Sequence, residues 1–296
     1  MRRLTLAKLG SVFLLTTFLL MNLGTAQSTH AKKVKSETIW QFDIVAGEVA
    51  PNGSKISFRE ADESNRTTEL TSFNADGSII QKTTYVYGDN GNPKETTTTS
   101  AAKNASQKMI YNYDANDFLI ETVSYTLDGS VNMRMEYKYN DSGQLSELTT
   151  YTPDNRVSVK VVNHYDQNGK IIEAVGSDAL GNEITKTNYG YSGEGLEMIK
   201  VGPDGNTVQR TKKSFDKNGK LTEEIQFDSN GSTLSKTEQT YDENGNLIEI
   251  VNSVPYAGME TRKVLKYNEN GNWVEQVSYN KLNEPVSVTR CEYEYY

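Results

Sequence analysis

Tyr241-Asp242-Glu243-Asn244-Gly245-Asn246-Leu247-Ile248-Glu249 reads as the end of one strand, a tight turn and the start of the next. The same order recurs along most of the chain: an aromatic residue, an Asn-Gly-type pair, then an apolar run. Tyr87, Tyr113, Tyr139, Tyr165, Tyr191, Phe215, Tyr241, Tyr267 and Tyr293 follow one another at steps of 26 residues, with a single step of 24 between Tyr191 and Phe215. One more step back lands on Ala61, where the ring is lost and the rest of the pattern persists. Self-similarity at a fixed period is the signature of a repeat architecture.

Counting from the aromatic as position zero, a glutamate follows at position eight, from Glu69 and Glu95 to Glu249 and Glu275, with Glu197 in the short unit. A basic residue holds position twenty-one: Lys82, Lys108, Arg134, Lys160, Lys186, Lys236 and Arg262, with Arg210 in the short unit. A second aromatic often stands at position twelve, as in Phe73, Tyr125, Tyr151, Phe227 and Tyr279. Each unit has two turn signals. Asn168-Gly169, Asn218-Gly219, Asn244-Gly245 and Asn270-Gly271 mark the first, and Asp76-Gly77, Asp128-Gly129 and Asn230-Gly231 the second. Asn and Gly tolerate positive φ, and the expected form is a two-residue type I′ hairpin. Between the turns run Thr, Val, Ile and Tyr, the composition of strands, and helical periodicity is absent.

The fold class expected is therefore all-β: an extended antiparallel meander of two-stranded repeats in a twisted or curled sheet. Pleating places position eight on one face with positions twenty-one and twenty-three, making the glutamate and the base diagonal neighbours. The opposite face carries threonines and paired tyrosines: Tyr85 with Tyr87, Tyr111 with Tyr113, Tyr137 with Tyr139, and Tyr189 with Tyr191. Losing two residues in the short unit keeps every side chain on its face, whereas losing one would invert them.

This pattern resembles the YD (RHS-type) repeat of bacterial surface and toxin-associated proteins over nearly all of residues 61–296. Its lines are Tyr241 to Glu249 and Tyr165-Asp166-Gln167-Asn168-Gly169-Lys170-Ile171. The resemblance implies a long curling sheet and carbohydrate binding. Large members enclose a toxin domain; here the units are too few and a toxin domain is missing, so a cage role is not expected.

Arg2, Arg3 and Lys8 ahead of an apolar stretch from Leu9 to Leu23 read as an export signal over residues 1–26, with cleavage expected after Ala26. No membrane span is expected in the mature chain, and secretion, the cell surface or the periplasm of a bacterium is the expected location. Removing those three bases lowers the formal charge of −8 by three, to −11. Such a surface repels phosphate backbones, so nucleic acid is not expected as a partner. Residues 27–36 are expected as a linker and 37–60 as irregular strands protecting the first sheet edge, with Asn52-Gly53 between them. Cys291 is the only cysteine, so no internal disulfide staples the chain; a half-buried strand position is expected for it.

Catalytic constellations are poorly supplied. His30 and His164 are the only histidines, and His164 occupies a repeat position beside Tyr165. A zinc site needs several nitrogen or sulfur ligands close together, so neither a metal nor any other cofactor is expected. Asp216 and Asp242 are expected to accept hydrogen bonds from turn amides, since a four-residue turn has too few oxygens for calcium. The paired tyrosines are the candidate ligand-binding residues, stacking on a glycan or meeting a surface protein; equally, they stabilise a sheet that lacks a deep core. The leading reading is a non-enzymatic binding or structural module. The alternative is an outer-membrane β-barrel, and the third reading is a glycoside hydrolase acting through paired carboxylates.

Overall fold

A computed structural model describes residues 32–101 and 105–296. Among the described residues every long element is a strand, from β1 (Val34–Val45) to β21 (Pro285–Tyr295), and the one helical element is a single turn at Pro255–Ala257. Each strand pairs antiparallel with its sequence neighbour, as the meander requires. β1 then pairs on one side with β3 (Ser54–Ala61) and on the other with β21, from Val34↔Tyr295 to Asp43↔Ser287. The sheet therefore closes on itself, and a closed antiparallel barrel of twenty strands stands where a twisted or curled sheet was expected. The short β2 (Glu48–Val49) stands outside the ring, paired only with the end of β1.

Closure also revises the reading of the N-terminal part. The residues expected as edge-protecting strands are the strand that joins first to last. Strand begins at Val34, inside the expected linker, and Val34 and Ser36 are buried against the C-terminal strand. An edge strand exposes unpaired amides and carbonyls, and a closed ring has none to protect. The expected export signal and residues 27–31 of the linker lie outside the described residues.

The turns differ from the expected type I′ form. In Asp216–Gly219 the Gly219 amide donates to the Asp216 carbonyl (2.9 Å) and the Asp216 amide to the Lys220 carbonyl (2.8 Å). Gly219 has φ 77° while the residues before it keep negative φ. This is a type I turn followed by one left-handed residue, the three-residue hairpin loop with a glycine bulge. Second turns such as Thr126–Gly129 repeat it, while Val254–Met259 turns instead through a single helical turn at Pro255–Ala257. Where the slot lacks glycine it holds Asn65, Asp117, Asn155 or Asn283, the residue types that best tolerate left-handed backbone. Two adjacent positive-φ residues occur at Ala46 and Gly47, joining β1 to β2.

The short unit shows what a two-residue deletion removes. In an ordinary hairpin His164 pairs with Glu173 and the register then slips by one at Tyr165↔Ile171. In the short one Gly190 pairs with Glu197 and the ladder runs without a slip to Ser192↔Gly195. Bulge and long loop go together, so the pleat is kept.

Candidate functional site

The observed register puts Glu147 opposite Val162 and Thr149 opposite Lys160, so positions eight and twenty-one are diagonal neighbours on one face, as expected. The ion pairs follow around the barrel: Lys82–Glu69 at 2.6 Å, Lys108–Glu95 at 2.6 Å, Lys160–Glu147 at 2.6 Å, Lys186–Glu173 at 2.7 Å, Lys236–Glu223 at 3.0 Å and Arg262–Glu249 at 2.7 Å. In the last unit Val288 takes the basic slot, and Arg290 reaches Glu275 at 3.0 Å from two residues further on.

Arginine at position twenty-one does more than lysine can. Arg134, Arg210 and Arg262 lie over the rings of Tyr151, Phe227 and Tyr279, the position-twelve aromatics of the next unit, at 3.8, 4.4 and 4.4 Å. Arg134 and Arg262 also donate to the side chains of Asn155 and Asn283, the asparagines that replace glycine in the left-handed slot. Lys and Arg read alike in the repeat; for Arg134 and Arg262 the missing turn glycine is the signal that separates them, whereas Arg210, followed by Gly231, stacks without that bond.

The paired tyrosines fall into two classes. The hydroxyls of Tyr87, Tyr113, Tyr139, Tyr165, Tyr191, Tyr241, Tyr267 and Tyr293 each donate to the backbone carbonyl twenty residues earlier, at 2.7–3.0 Å. Their rings are covered from the turn side: Arg66 over Tyr87, Lys170 over Tyr191, Lys220 over Tyr241 and Phe118 against Tyr139. Tyr87, Tyr113, Tyr139 and Tyr191 thus have their polar end committed to the fold. The residues two before them differ. Tyr111 and Tyr137 reach only the hydroxyls of Thr96 and Thr122, each at a long 3.4 Å, and among the described residues no hydrogen bond ties down Tyr85 or Tyr189.

Tyr85, Tyr111 and Tyr137 sit on β5 (Ile79–Tyr87), β7 (Ala105–Tyr113) and β9 (Val131–Tyr139). Equivalent points two strands apart are separated by about 9.5 Å. The three rings therefore form a track across the sheet with that repeat, flanked by Thr83, Thr98 and Thr122. Tyr189 stands apart on β13 (Glu183–Ser192), beyond Asn163 in the equivalent place.

The two faces also differ electrostatically. Burial is the largest cause raising the phenols of Tyr85, Tyr137, Tyr189, Tyr267 and Tyr293 on the tyrosine face. On the same face burial pushes up Glu37 and the Cys291 thiol, whose strand position is buried rather than half-buried as expected. On the ladder face hydrogen bonds from Lys82, Lys138 and Lys266 lead in holding Glu69, Glu147 and Glu275 below the usual carboxylate range. His164 lies on that face, half exposed and 4.0 Å from Glu173, a ladder carboxylate that already pairs with Lys186. Asp216 accepts the amides of Asn218 and Lys220 through one carboxylate oxygen at 2.8 and 2.9 Å, and Asp242 accepts that of Asn246 at 2.7 Å, the role expected of them. Among the described residues no cluster of three or more His, Cys, Asp or Glu side chains could hold a metal ion. No described helix is long and apolar enough to cross a membrane, a statement that does not touch strands.

Comparison with known proteins completes the picture. A MORN repeat variant model matches residues 211–229 and 234–254, two segments that each centre on an Asp-x-Asn-Gly turn. No curated protein matches the chain. Among solved structures, a porin-like protein from Bacteroides uniformis is similar at 9% identity and a TM-score of 0.39, covering 89% of this chain and 99% of that one. A porin-like protein from Bacteroides vulgatus is similar at 14% identity and a TM-score of 0.28, with the same coverage. The Photorhabdus luminescens Tc holotoxin pore is similar at 10% identity and a TM-score of 0.22, over 85% of this chain and 18% of that one.

Proposed function

We propose that this chain works as an exported barrel at the bacterial cell envelope, without chemistry of its own, its tyrosine face lining the lumen. The pairing of β1 with β21 carries the reading, because a closed ring has an inside and an open binding sheet does not. Closure favours the barrel alternative over the open surface module. Burial dominates the tyrosine face, as it should on the concave side, where the wall curves around each phenol. The YD-type resemblance stays part of the proposal, supported by the Tyr-Asp-x-Asn-Gly turns.

Composition decides what meets the outer face. A transmembrane barrel presents an apolar band to lipid along every strand. Here the ladder face carries a Glu-Lys or Glu-Arg pair in unit after unit, and the tyrosine face carries Lys213–Glu224 at 3.0 Å among Thr, Ser and Gln. We therefore expect water on both sides of the wall, with the barrel held at the envelope rather than sunk in the outer membrane. Residues 27–296 should remain in the supernatant after high-speed sedimentation without detergent. A chain that needs detergent to stay dispersed would put the ladder face against lipid and restore the membrane-inserted form.

Inside, the track of Tyr85, Tyr111 and Tyr137 suits an extended polyhydroxyl chain, with rings for stacking and threonine hydroxyls alongside. Titration with neutral oligosaccharides should show binding that Tyr111→Ala/Tyr137→Ala weakens and Tyr113→Phe leaves alone. Equal loss in both variants would make the tyrosines structural only.

A further inference from the structure

The two ends of the barrel are not alike. At one end the turns between the units, such as Asp166–Gly169, Asp242–Gly245 and Asn268–Gly271, are built from polar residues and glycine. At the other end, where the second turns lie, four of the described tips carry a large apolar side chain, while those at Asn74–Gly77, Gly202–Gly205 and Asp228–Gly231 are polar. Leu127 is 69% exposed, Leu180 87%, Tyr256 78% and Leu282 70%. Val45 joins them from the β1–β2 hairpin, whose pairs Ile44↔Val49 and Val45↔Glu48 lie past the last barrel pair of β1, Asp43↔Ser287.

The fold gains nothing from these side chains. Leu180 and Leu282 sit next to the left-handed residue of turns whose geometry is set by Asp178 and Asn280, each bonding two backbone amides. The same slot holds Asn116, Ser142, Asn168 or Asn218 at the polar end. Apolar groups repeated at loop tips of one end, with no packing partner, mark a surface that is covered by something else.

Charge narrows what that is. Between the apolar tips stand Asp43, Glu48, Asp178, Asp204, Asp228 and Glu260; of the described bases there, Arg156 is tied to Asp154 at 2.6 Å and Lys281 reaches the Gly258 carbonyl at 3.5 Å. Two copies meeting rim to rim would set these acids against one another, and an anionic lipid surface would be repelled in the same way. A partner with apolar anchors for the leucines and cations for the acids is complementary on both counts. We infer that this end of the barrel is a docking surface for a cationic amphipathic segment of a partner protein. The surface is independent of what the lumen holds.

A synthetic Leu/Lys amphipathic helix is the probe, with a Leu/Glu peptide of the same pattern as control. Fluorescence anisotropy should show the cationic peptide binding the intact chain, more weakly as salt is raised, and the acidic peptide failing to bind. Leu127→Ser/Leu180→Ser/Tyr256→Ser/Leu282→Ser should weaken binding roughly tenfold, since truncating exposed anchors removes the contact without touching the sheet. Asp141→Asn/Glu243→Gln at the opposite end should leave it unchanged; melting curves check that both variants are folded. Equal affinity of the intact chain and the four-serine variant overturns the proposal. So does the appearance, lost in the four-serine variant, of binding to phosphatidylglycerol vesicles or of concentration-dependent dimers in place of peptide binding.

Discussion

Each turn is decided by two residues. One sits in the left-handed region, and the other folds a carboxylate or amide oxygen back onto the turn amides. At Gly219, φ is 77° and a Cβ would meet nothing within 4 Å, so Gly219→Ala should cost only the backbone penalty, about 1–2 kcal/mol, read from denaturant midpoints. Gly219→Asn should cost less, because asparagine already fills that slot at Asn65 and Asn155. Asp166 accepts the amides of Asn168 and Lys170, and the Lys170 amide leads in holding its carboxyl below the usual range. A depressed folded-state pKa stabilises the fold above the unfolded value near 3.9 and loses that stabilisation as pH falls through the folded value. Asp166→Ala should therefore lower the melting temperature at neutral pH. Asp166→Asn should hold it there and flatten the acid-side fall, as Asn140 and Asn268 make the same bonds uncharged. Asn-Gly announced a turn in the sequence, but not its type. Both forms use glycine, and only the partner of the preceding aspartate separates them.

Strand pairs were more legible than turns, because period-two alternation and a fixed repeat leave one consistent register. The Glu–Lys diagonal followed from counting alone, since side-chain direction depends on parity rather than on turn geometry. The energetic weight of the ladder is small: an exposed pair is worth about 0.2–1 kcal/mol, and Lys160→Met should change stability by no more than that. A steric prediction at this scale is sharper. Gly176 faces Thr185 across β12 (Ile171–Ser177) and β13, and a Cβ on it would lie 2.7 Å from the threonine methyl. Gly176→Ala should destabilise by about 1–3 kcal/mol through overpacking, and adding Thr185→Ser should recover most of the loss. Failure of the double variant to recover would move the cause from the methyl to the backbone. The split of the tyrosines into two classes was not legible, because both lie on one face. The phenol beside the turn reaches a carbonyl twenty residues earlier, even at Tyr191 where the hairpin has no bulge, while the one two residues before it falls short of a partner; no parity argument sees that difference in reach.

Closure belongs to the whole molecule, and no single repeat contains it. A unit of two strands buries little by itself, and a meander of identical units can stay open indefinitely. The ring shuts because the count of strands is even and because β1, which lacks the repeat's period, still alternates correctly against β21. Trp40 donates to Glu292, 252 positions away, at 2.9 Å, and the Tyr296 hydroxyl donates to the Ala61 carbonyl at 2.6 Å. Pairing so distant in sequence should form last in folding, after the local hairpins. It can be trapped covalently. Ile39 lies directly opposite Cys291 across the seam, and cross-strand partners fall within the Cα separation of about 4.4–6.8 Å that a disulfide spans. Ile39→Cys under mild oxidation should give an intramolecular disulfide that joins residue 39 to residue 291 and runs faster on non-reducing gels. Gln41→Cys, facing Thr289 instead, should stay reduced under the same conditions. An open sheet would leave Ile39→Cys free or linked between molecules, because the two edges would then lie at opposite ends of the array.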